Sequence, residues 1–213
     1  TPIELSAAIT EAAAILKSAR NPLIYGLSKS STDGQRAAVA LADRLQATID
    51  TTASEGHAPS LLALQQSGES TCSLGEVRHR ADLVIFWGSN PVESHPRHLE
   101  RYSYEPRGEQ TPNGKADRTL VVIDTKKTKT AEIKDAHFLQ IPKGRDAEAL
   151  WTLRALLKGH TPPPSADTGL PLAQLLDLAE RMKTCRCGVI FFGYGLAWQD
   201  LGHRIVEALL RLV

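Results

Sequence analysis

The sequence predicts an α/β protein with a Rossmann-like, mostly parallel sheet flanked by helices. Three observations lead to this fold class. Short apolar segments alternate along the chain with longer segments whose apolar residues recur every three or four positions. The short segments, such as residues 119–124, are apolar without interruption, which is typical of strands covered on both faces. Several of them end on a glycine or a polar turn, as strands do before a following helix.

The first part of the chain predicts a helix, a strand, a helix and a strand. The first helix has apolar residues that define one buried face, namely Ile3, Ala8, Ile9, Ala12, Ile15 and Leu16. Residues 23–26 follow as a short buried strand, residues 34–46 as a helix and residues 47–50 as a strand. We expect this segment, residues 1–52, to precede a Rossmann-like α/β domain over residues 53–213.

The second part repeats the same order of elements. It predicts strands at residues 82–87, 119–124, 138–142 and 188–192, and helices at residues 59–65, 96–103, 146–158, 172–183 and 201–212. Three consecutive prolines within residues 160–169 predict a surface loop, because proline cannot continue a helix. A strand, a glycine and an apolar helix occur both from Leu23 and from Val189. This is weak evidence of duplication, since any Rossmann-like unit produces the same pattern.

The composition excludes binding by bulk charge. Lys and Arg number 25 against 24 Asp and Glu, a formal net charge of +1, so neither nucleic acid nor an acidic membrane surface is expected as a partner. The longest apolar runs are too short to cross a bilayer, and the first residues do not form a secretory signal. Three cysteines cannot form a disulfide framework in 213 residues. We therefore expect a soluble cytoplasmic protein.

The carboxyl ends of the predicted strands form the candidate ligand site, because turns and helix N-termini with free N–H groups converge there. These ends comprise residues 26–31, 88–91, 124–130 and 193–195. Glycines allow the backbone to approach a ligand closely, and Asp124 could accept hydrogen bonds from a ribose or a base. A nucleotide-like ligand fits this pattern. The alternative is that the turns only connect strands to helices.

Two other groups of residues favour structural roles. His95 and His98 lie three apart at a predicted helix start, as metal ligands do, but no third ligand is close in sequence. Cys185 and Cys187 lack the two-residue spacer of thiolate metal sites and run into a strand.

The segment TASEGHAPS contains the residue types of a hydrolytic site. Ser54, Ser60, His57 and Glu55 supply hydroxyls, an imidazole and a carboxylate. No nucleophile-elbow pattern surrounds either serine, so we predict no hydrolytic site here.

Five segments together carry a resemblance to a known family. They are TASEGHAPSLLALQ, CSLGEVRHRADLVIFWGSNPVESHPRHLERYS, DRTLVVIDTKKTKTAEIKDAHFLQI, GRDAEAL and ERMKTCRCGVIFFGYGL. In this order they resemble the B subunit of formylmethanofuran dehydrogenase, a member of the molybdopterin oxidoreductase superfamily. The resemblance extends through nearly the whole chain, and WGSNP followed by HPRH is a fairly specific part of it. It implies molybdopterin oxidoreductase-type α/β domains.

The resemblance implies a set of cofactor-binding positions. In that family, a WGxNP turn and an Asp-Pro-Arg-Lys-Thr turn help to hold a molybdopterin guanine dinucleotide. The positions that match in this chain are Gly88, Asn90, Asp124, Lys127 and Thr128. Thr125 replaces the usual proline and Lys126 the usual arginine, so the second turn departs from the family pattern.

The segment TASEGHAPS departs further from the family. Catalytic members have a segment similar to TASVCHGPS, whose cysteine or selenocysteine binds tungsten or molybdenum as a soft, deprotonated ligand. Gly56 stands at that position and has no side-chain donor. Glu55 is a hard oxygen ligand and a poor substitute, and His57 alone does not restore redox chemistry. The family's N-terminal cysteine cluster for an iron–sulfur centre has no counterpart here.

These departures resemble the B subunit of the bacterial formyltransferase/hydrolase complex of methylotrophs. That complex moves formyl groups between tetrahydromethanopterin and a methanofuran-like carrier and releases formate without a redox step. The resemblance implies a non-catalytic structural subunit in one-carbon metabolism, with subunits A, C and D as partners and with no catalytic residue, metal ligand or cofactor. The alternative is a subunit of an active dehydrogenase that binds molybdopterin guanine dinucleotide. Family members usually continue beyond Val213, so we expect a shortened form or a fragment.

Overall fold

The predicted fold class is confirmed by the structure. The computed structural model describes residues 2–213, apart from the side chain of Glu55. The chain forms two compact units, Thr1–Ala58 and Pro59–Val213, and both combine helices with parallel strands. The domain boundary predicted after residue 52 stays a prediction. Among residues 2–213, no helix has both the length and the apolar character needed to cross a lipid bilayer.

The first unit contains a two-stranded parallel sheet. Its elements are helix α1 (Leu5–Ser18), strand β1 (Leu23–Gly26), helix α2 (Thr32–Leu45), strand β2 (Thr48–Thr51) and the short helix α3 (Ala53–Gly56). Strand β1 pairs with β2, with Ile24 opposite Ile49. Helix α2 begins after Ser31, whose hydroxyl accepts the N–H of Gly34 at 3.1 Å, a normal N-cap.

The buried face predicted for α1 is wrong for this structure. The helix forms where the apolar periodicity predicts it, but α1 contains no buried residue. Ile9 and Ile15 are 60% and 61% exposed, and Leu23 of β1 is 59% exposed. Periodicity predicts which side of a helix is apolar, whereas burial also requires an element that packs against that side.

The second unit contains a four-stranded sheet and most of the helices. Its strands are β3 (Leu83–Trp87), β4 (Thr119–Asp124), β5 (His137–Gln140) and β6 (Gly188–Phe192). Its helices are α4 (Ala58–Ser67, starting at the unit boundary), α5 (Leu74–Arg80), α6 (Pro91–Ser94), α7 (Asp146–Leu157), α8 (Leu172–Thr184), α9 (Tyr194–Ala197) and α10 (Gly202–Leu210), with a π-helical turn at Leu99–Ser103 and a 3-10 turn at Gly114–Asp117. The strands are parallel in the order β5-β4-β3-β6.

The sheet of the second unit separates two apolar cores. Every residue of β3 is buried. Ile85 and Trp87 of β3 belong to one core, together with Ile123 of β4 and residues of α7, α8 and α10. Val84 and Phe86 of β3 belong to the other core, which also contains residues of α5. Because successive side chains of a strand point to opposite faces, a strand between two cores is apolar at every position. This explains the uninterrupted apolar runs in the sequence.

Two local predictions differ from the structure. The helix predicted over residues 96–103 is shortened to the π-helical turn at Leu99–Ser103. The separate helix α6 ends before it at Ser94, because His95 precedes Pro96 and has a non-helical ψ of 71°. The segment TASEGHAPS, residues 52–60, for which the sequence predicts a helix only from residue 59, forms α3 and the start of α4.

Candidate functional site

The candidate site lies at the carboxyl ends of β3, β4 and β6. Strand β3 has β4 on one side and β6 on the other, so the chain reverses its direction of winding at β3. Ligands of open α/β sheets bind beyond the strand ends at such a reversal. The residues predicted from the sequence are at this edge: Gly88 and Asn90 follow β3, Asp124 ends β4, and Lys127 and Thr128 follow it.

Gly88 lies where the turn after β3 packs directly against the turn after β6. Gly88 has a φ of +57°, and a Cβ atom added to it would lie 2.8 Å from the backbone nitrogen of Leu196. The N–H of Gly195 donates to the carbonyl oxygen of Gly88 at 3.1 Å. A Cβ atom on Gly195 would lie 2.8 Å from that same oxygen. Contact between the two turns therefore accounts for glycine at both positions without a ligand.

Asn90 connects the turn after β3 to the segment after β4. Its side-chain oxygen accepts hydrogen bonds from the hydroxyl of Thr130 at 2.8 Å and from the backbone N–H of Thr130 at 3.3 Å. Its side-chain nitrogen donates to the carboxylate of Glu93. The oxygen and the nitrogen of the Asn90 side chain thus both have hydrogen-bond partners within the protein. These bonds hold the turn after β3 against the segment after β4.

The segment after β4 retains polar groups that a ligand could use. Asp124 accepts the N–H of Thr125 at 2.7 Å, and Lys127 is exposed. Thr128 is 8% exposed, and its hydroxyl oxygen is buried without a hydrogen-bond partner among the described residues. A buried hydroxyl without a partner loses the hydrogen bonds that it makes in water. Thr128 therefore differs from Asn90, whose side-chain oxygen and nitrogen both have partners within the protein.

A buried carboxylate that was not predicted from the sequence connects the strand end of β3 to the turn after β6. Asp146 is 3% exposed at the first residue of α7. One of its oxygens accepts the indole N–H of Trp87 at 2.7 Å, and the other accepts the side-chain N–H of Gln199 at 2.8 Å. Gln199 also donates to the carbonyl oxygen of Gly195 at 2.7 Å. An acidic residue that starts a helix after a strand was the available signal, but its partners are 59 and 53 residues away in sequence.

A pterin guanine dinucleotide fits these residues only in part. Asp124, Lys127 and Thr128 leave polar groups on one side of the site. Gly88 and Asn90 are already used, the first by contact with Leu196 and the second by hydrogen bonds to Glu93 and Thr130. The turns after β3 and β6 are thus packed against each other, and only the loop after β4 keeps polar groups that could bind a ligand.

His98 packs among aromatic rings. Its ring contacts Phe191 edge-on, with 4.8 Å between the ring centroids, and lies 5.8 Å from the ring of Phe86. Burial lowers the pKa of His98, and the charge of His95 lowers it further, so the neutral imidazole is favoured. The other ring, His95, lies 2.9 Å from the hydroxyl of Ser94. His98 is thus packed and His95 is exposed, and the structural role expected for the two histidines stays a prediction.

Metal ligands do not cluster in the part of the chain that the structure describes. Within residues 2–213, leaving out the side chain of Glu55, no three His, Cys, Asp or Glu side chains form a group that could hold a metal ion. Gly56 ends α3 in the first unit. The hydroxyl of Ser54 donates to the carbonyl oxygen of Thr51 at 2.8 Å, and His57 is exposed. The side chain of Glu55, which the sequence indicates to be a poor substitute ligand, lies outside the described residues.

Comparisons with known proteins relate the chain to two kinds of subunit. It is 41% identical over 211 residues to the B subunit of the tungsten-containing formylmethanofuran dehydrogenase 2 of Methanocaldococcus jannaschii, a match covering 99% of this chain and 48% of the relative. It is 27% identical over 209 residues to the B subunit of the formyltransferase/hydrolase complex Fhc of Methylorubrum extorquens, a match covering 98% of this chain and 53% of the relative. A scan against protein-family models finds none that matches.

A solved structure supports the same relation. A chain in the X-ray crystal structure of the formyltransferase/hydrolase complex (FhcABCD) from Methylorubrum extorquens, determined with methylofuran, matches with a TM-score of 0.69 and 25% identity. The match covers 100% of this chain and 54% of that one. The chain therefore spans about half the length of the relatives that it matches. Of these relatives, the dehydrogenase subunit is more similar to the chain than the Fhc subunit, whereas the sequence analysis placed the bacterial subunit nearer.

Proposed function

Because the chain belongs to the B-subunit family of formylmethanofuran dehydrogenase and matches about half of that protein, we propose that it is a non-redox structural subunit of a complex that transfers and hydrolyses formyl groups. Gly56 carries this proposal. The resemblance places it where catalytic members have a cysteine or selenocysteine, and a hydrogen atom cannot coordinate tungsten or molybdenum. The catalytic members supply a soft sulfur or selenium ligand there, and glycine supplies no side-chain ligand at all.

Gly56 is a stronger basis than the missing cysteine cluster. Gly56 lies inside the region that aligns with the relatives, which covers 99% of this chain. The absence of the family's cysteine cluster has no weight, because the match covers only 48% of the relative. The proposal therefore depends on one internal position.

The packed edge of the sheet supports a structural role. Gly88 and Asn90 are the two positions of the WGSNP segment that the family resemblance assigns to the cofactor. In this chain both take part in contacts that hold neighbouring turns together. These contacts join protein groups to each other and do not depend on a cofactor. A structural subunit needs contacts of this kind, because it must fold without the cofactor. We propose subunits A, C and D of a formyltransferase/hydrolase complex as its partners, with the B subunit of Fhc as the precedent.

The second candidate is a subunit that binds molybdopterin guanine dinucleotide in an active formylmethanofuran dehydrogenase. Two observations favour it. The chain is 41% identical to a tungsten-containing dehydrogenase subunit and 27% identical to the B subunit of Fhc. The buried hydroxyl of Thr128 has no partner among the described residues and could donate to a phosphate. Asp124, Lys127 and Thr128 would hold the nucleotide under this proposal.

Metal and nucleotide analysis of the purified complex separates the two candidates. The complex is produced with tungstate and molybdate in the medium, and its metals are measured by mass spectrometry. We expect far less than one tungsten or molybdenum per subunit, no guanine nucleotide in the denatured extract, and release of formate without reduction of an electron acceptor. Stoichiometric metal together with formylmethanofuran oxidation would overturn the proposal. Nucleotide without metal would support binding by the segment after β4 and reject a cofactor-free subunit.

A pair of cysteine variants tests position 56 directly. Gly56→Cys restores the thiol at the position that the resemblance assigns to the metal ligand, and Ser54→Cys places a thiol two residues away as a matched control. Under the proposal neither variant gains metal, because no pterin sulfur is present to share it. Gain of tungsten in Gly56→Cys alone would show that a cofactor is bound and would favour the second candidate.

A further inference from the structure

A groove of about 400 Å³ runs along β6 in the second unit. Strand β6 pairs only with β3 and so forms one edge of the described sheet. Residues 188–192 form one wall of the groove, and residues 69–72 contribute another. Leu209, Leu210 and Val213 complete it. The groove is separate from the turns that form the candidate ligand site.

Two cysteines line this groove from different parts of the chain. Cys72 is exposed and lies in the irregular connection between α4 and α5. Cys187 precedes β6 and is held on the sheet: its N–H donates to the carboxylate of Asp82 at 2.9 Å, and its carbonyl oxygen accepts the N–H of Asp82 at 3.1 Å. One thiol therefore has a fixed position, and the other lies on a segment without regular secondary structure.

The two groove thiols also interact electrostatically. Burial raises the pKa of the Cys72 thiol, and the negative charges of Cys187 and Glu76 raise it further. Cys187 acts in the same way on Cys185, so the groove that Cys72 and Cys187 share is the observation that pairs these two cysteines.

The third cysteine belongs to a different environment. Cys185 donates from its thiol to the carbonyl oxygen of Met182 at 3.3 Å and packs against the core that contains Leu83. It does not line the groove. Cys185 therefore offers a matched control, with the same chemistry two residues from Cys187.

We propose that Cys72 and Cys187 form a reversible thiol pair that closes to a disulfide across the groove along β6. The oxidant is a low-molecular-weight disulfide. The thiolate of one groove cysteine attacks one of its sulfur atoms and releases one small thiol, leaving a mixed disulfide on that cysteine. The thiolate of the other groove cysteine then attacks the protein sulfur of the mixed disulfide and releases the second small thiol. The two protons of the protein thiols end on the two small thiols, so atoms and electrons balance.

Closure would tie residues 69–72 to the free edge of β6. An unpaired strand edge exposes backbone donors and acceptors to other chains, and a segment fixed beside it restricts that access. The bond would also close a loop from residue 72 to residue 187, which restricts the unfolded chain and raises the melting temperature.

Peptide mapping after oxidation tests the proposal. The purified full chain is treated with glutathione disulfide, free thiols are blocked, and the protein is digested with trypsin without reduction. Trypsin cleaves after Arg186, so Cys185 and Cys187 lie on different peptides and the assignment is unambiguous. We expect a linked pair of peptides containing Cys72 and Cys187, lighter by two hydrogen atoms than the sum of the free peptides. Dithiothreitol should separate them.

Single substitutions complete the test. Cys185→Ser should keep the linked pair and the rise in melting temperature on oxidation. Cys72→Ser and Cys187→Ser should lose both, and the remaining groove cysteine should retain glutathione as a mixed disulfide. Circular dichroism checks that each variant is folded. A bond between Cys185 and Cys187, a disulfide between two chains, or three free thiols after oxidation of the wild type would each overturn the proposal.

Discussion

The two units follow the same strand–helix order, but only the second contains buried strands, which are the two central strands β3 and β4. In β3 every residue is buried, whereas β1 and β2 contain no buried residue. Ile123 in β4 is 0% exposed, and Ile49 in β2 is 40% exposed. Strands β3 and β4 have a neighbouring strand on each side and an apolar core on each face, whereas β1 and β2 are each other's partners in the described residues. An uninterrupted apolar run thus predicts a strand, but its burial depends on surrounding elements.

Isoleucine-to-alanine substitutions provide the largest expected contrast between the units. Ile123→Ala should lower the free energy of unfolding by about 2–5 kcal/mol, because it removes apolar contacts and leaves a cavity in a closed core. Ile49→Ala should cost about 1 kcal/mol or less, since the side chain is already partly in water. Urea unfolding measures both effects. Tryptophan fluorescence reports on the second unit, which contains Trp87, Trp151 and Trp198, and circular dichroism reports on both units.

Equal losses from the two isoleucine substitutions would contradict the comparison. They would mean that β2 is covered in solution by an element that its described contacts do not reveal. Ile123→Val serves as a control, because a smaller deletion at the same site should cost about 0.5–1.5 kcal/mol.

Two glycines, the last residue of β1 and the first residue after β3, sharpen the comparison at the strand ends. Both have a positive φ, +107° at Gly26 and +57° at Gly88. A Cβ atom on Gly26 would meet nothing within 4 Å, whereas one on Gly88 would lie 2.8 Å from the nitrogen of Leu196. Gly26→Ala should therefore cost about 1–2 kcal/mol from backbone strain alone. Gly88→Ala should cost about 2–4 kcal/mol, because overpacking adds to the strain.

Thermal unfolding of the two glycine variants measures this difference. Gly88→Ala should also raise the exchange rate of the Gly195 amide hydrogen, since its hydrogen bond to Gly88 is at the contact. If Gly88→Ala lowered the stability no more than Gly26→Ala, the turn after β6 would have to move away easily. That result would contradict the close packing of the two turns.

The strands and the fold class could be predicted because their signals are local. Residues 119–124 form β4 as the apolar run predicts, and Gly159, with a φ of +82°, follows the predicted end of α7. The apolar face of α1 was identified, but its burial was predicted wrongly because burial depends on other elements. The end of α6 at His95 was missed although Pro96 signals it, because a residue that precedes a proline is disfavoured in the helical region.

The candidate site could be located by position but not by contacts. Gly88 and Asn90 follow β3 as expected, yet their contacts with Leu196 and Thr130 join residues 108 and 40 positions apart. Asp146 was missed because its role depends on Trp87 and Gln199, which only the folded chain brings to it. A sequence pattern indicates which residues end a strand, whereas the spare hydrogen-bonding capacity of those residues depends on the tertiary structure.

Two strand-associated aspartates extend the comparison to electrostatics. Asp82 precedes β3 and binds the segment before β6: its carboxylate accepts the N–H groups of Arg186 at 3.0 Å and Cys187 at 2.9 Å. Asp50 in β2 accepts only the N–H of the next residue, Thr51, at 2.9 Å among the bonds that the structure gives its side chain. The first carboxylate joins two strands that are far apart in sequence, and the second acts locally.

Asp82→Asn should therefore lower the free energy of unfolding at pH 7 by about 1–3 kcal/mol, because an amide accepts through one oxygen only and loses the charge. Asp50→Asn should change the free energy of unfolding by about 0.5 kcal/mol or less.

The stabilisation by Asp82 should depend on pH. Burial works against ionisation of Asp82, but the hydrogen bonds from Arg186 and Cys187 outweigh burial and hold the pKa of Asp82 below the usual value. A lowered pKa contributes stability above the pKa of the unfolded chain, about 3.9, which is lost as the pH falls through the folded pKa. The gap between wild type and Asp82→Asn, measured by urea unfolding, should thus narrow below about pH 4. A gap that stays constant from neutral to acidic pH would mean that the carboxylate charge does not hold β3 and β6 together.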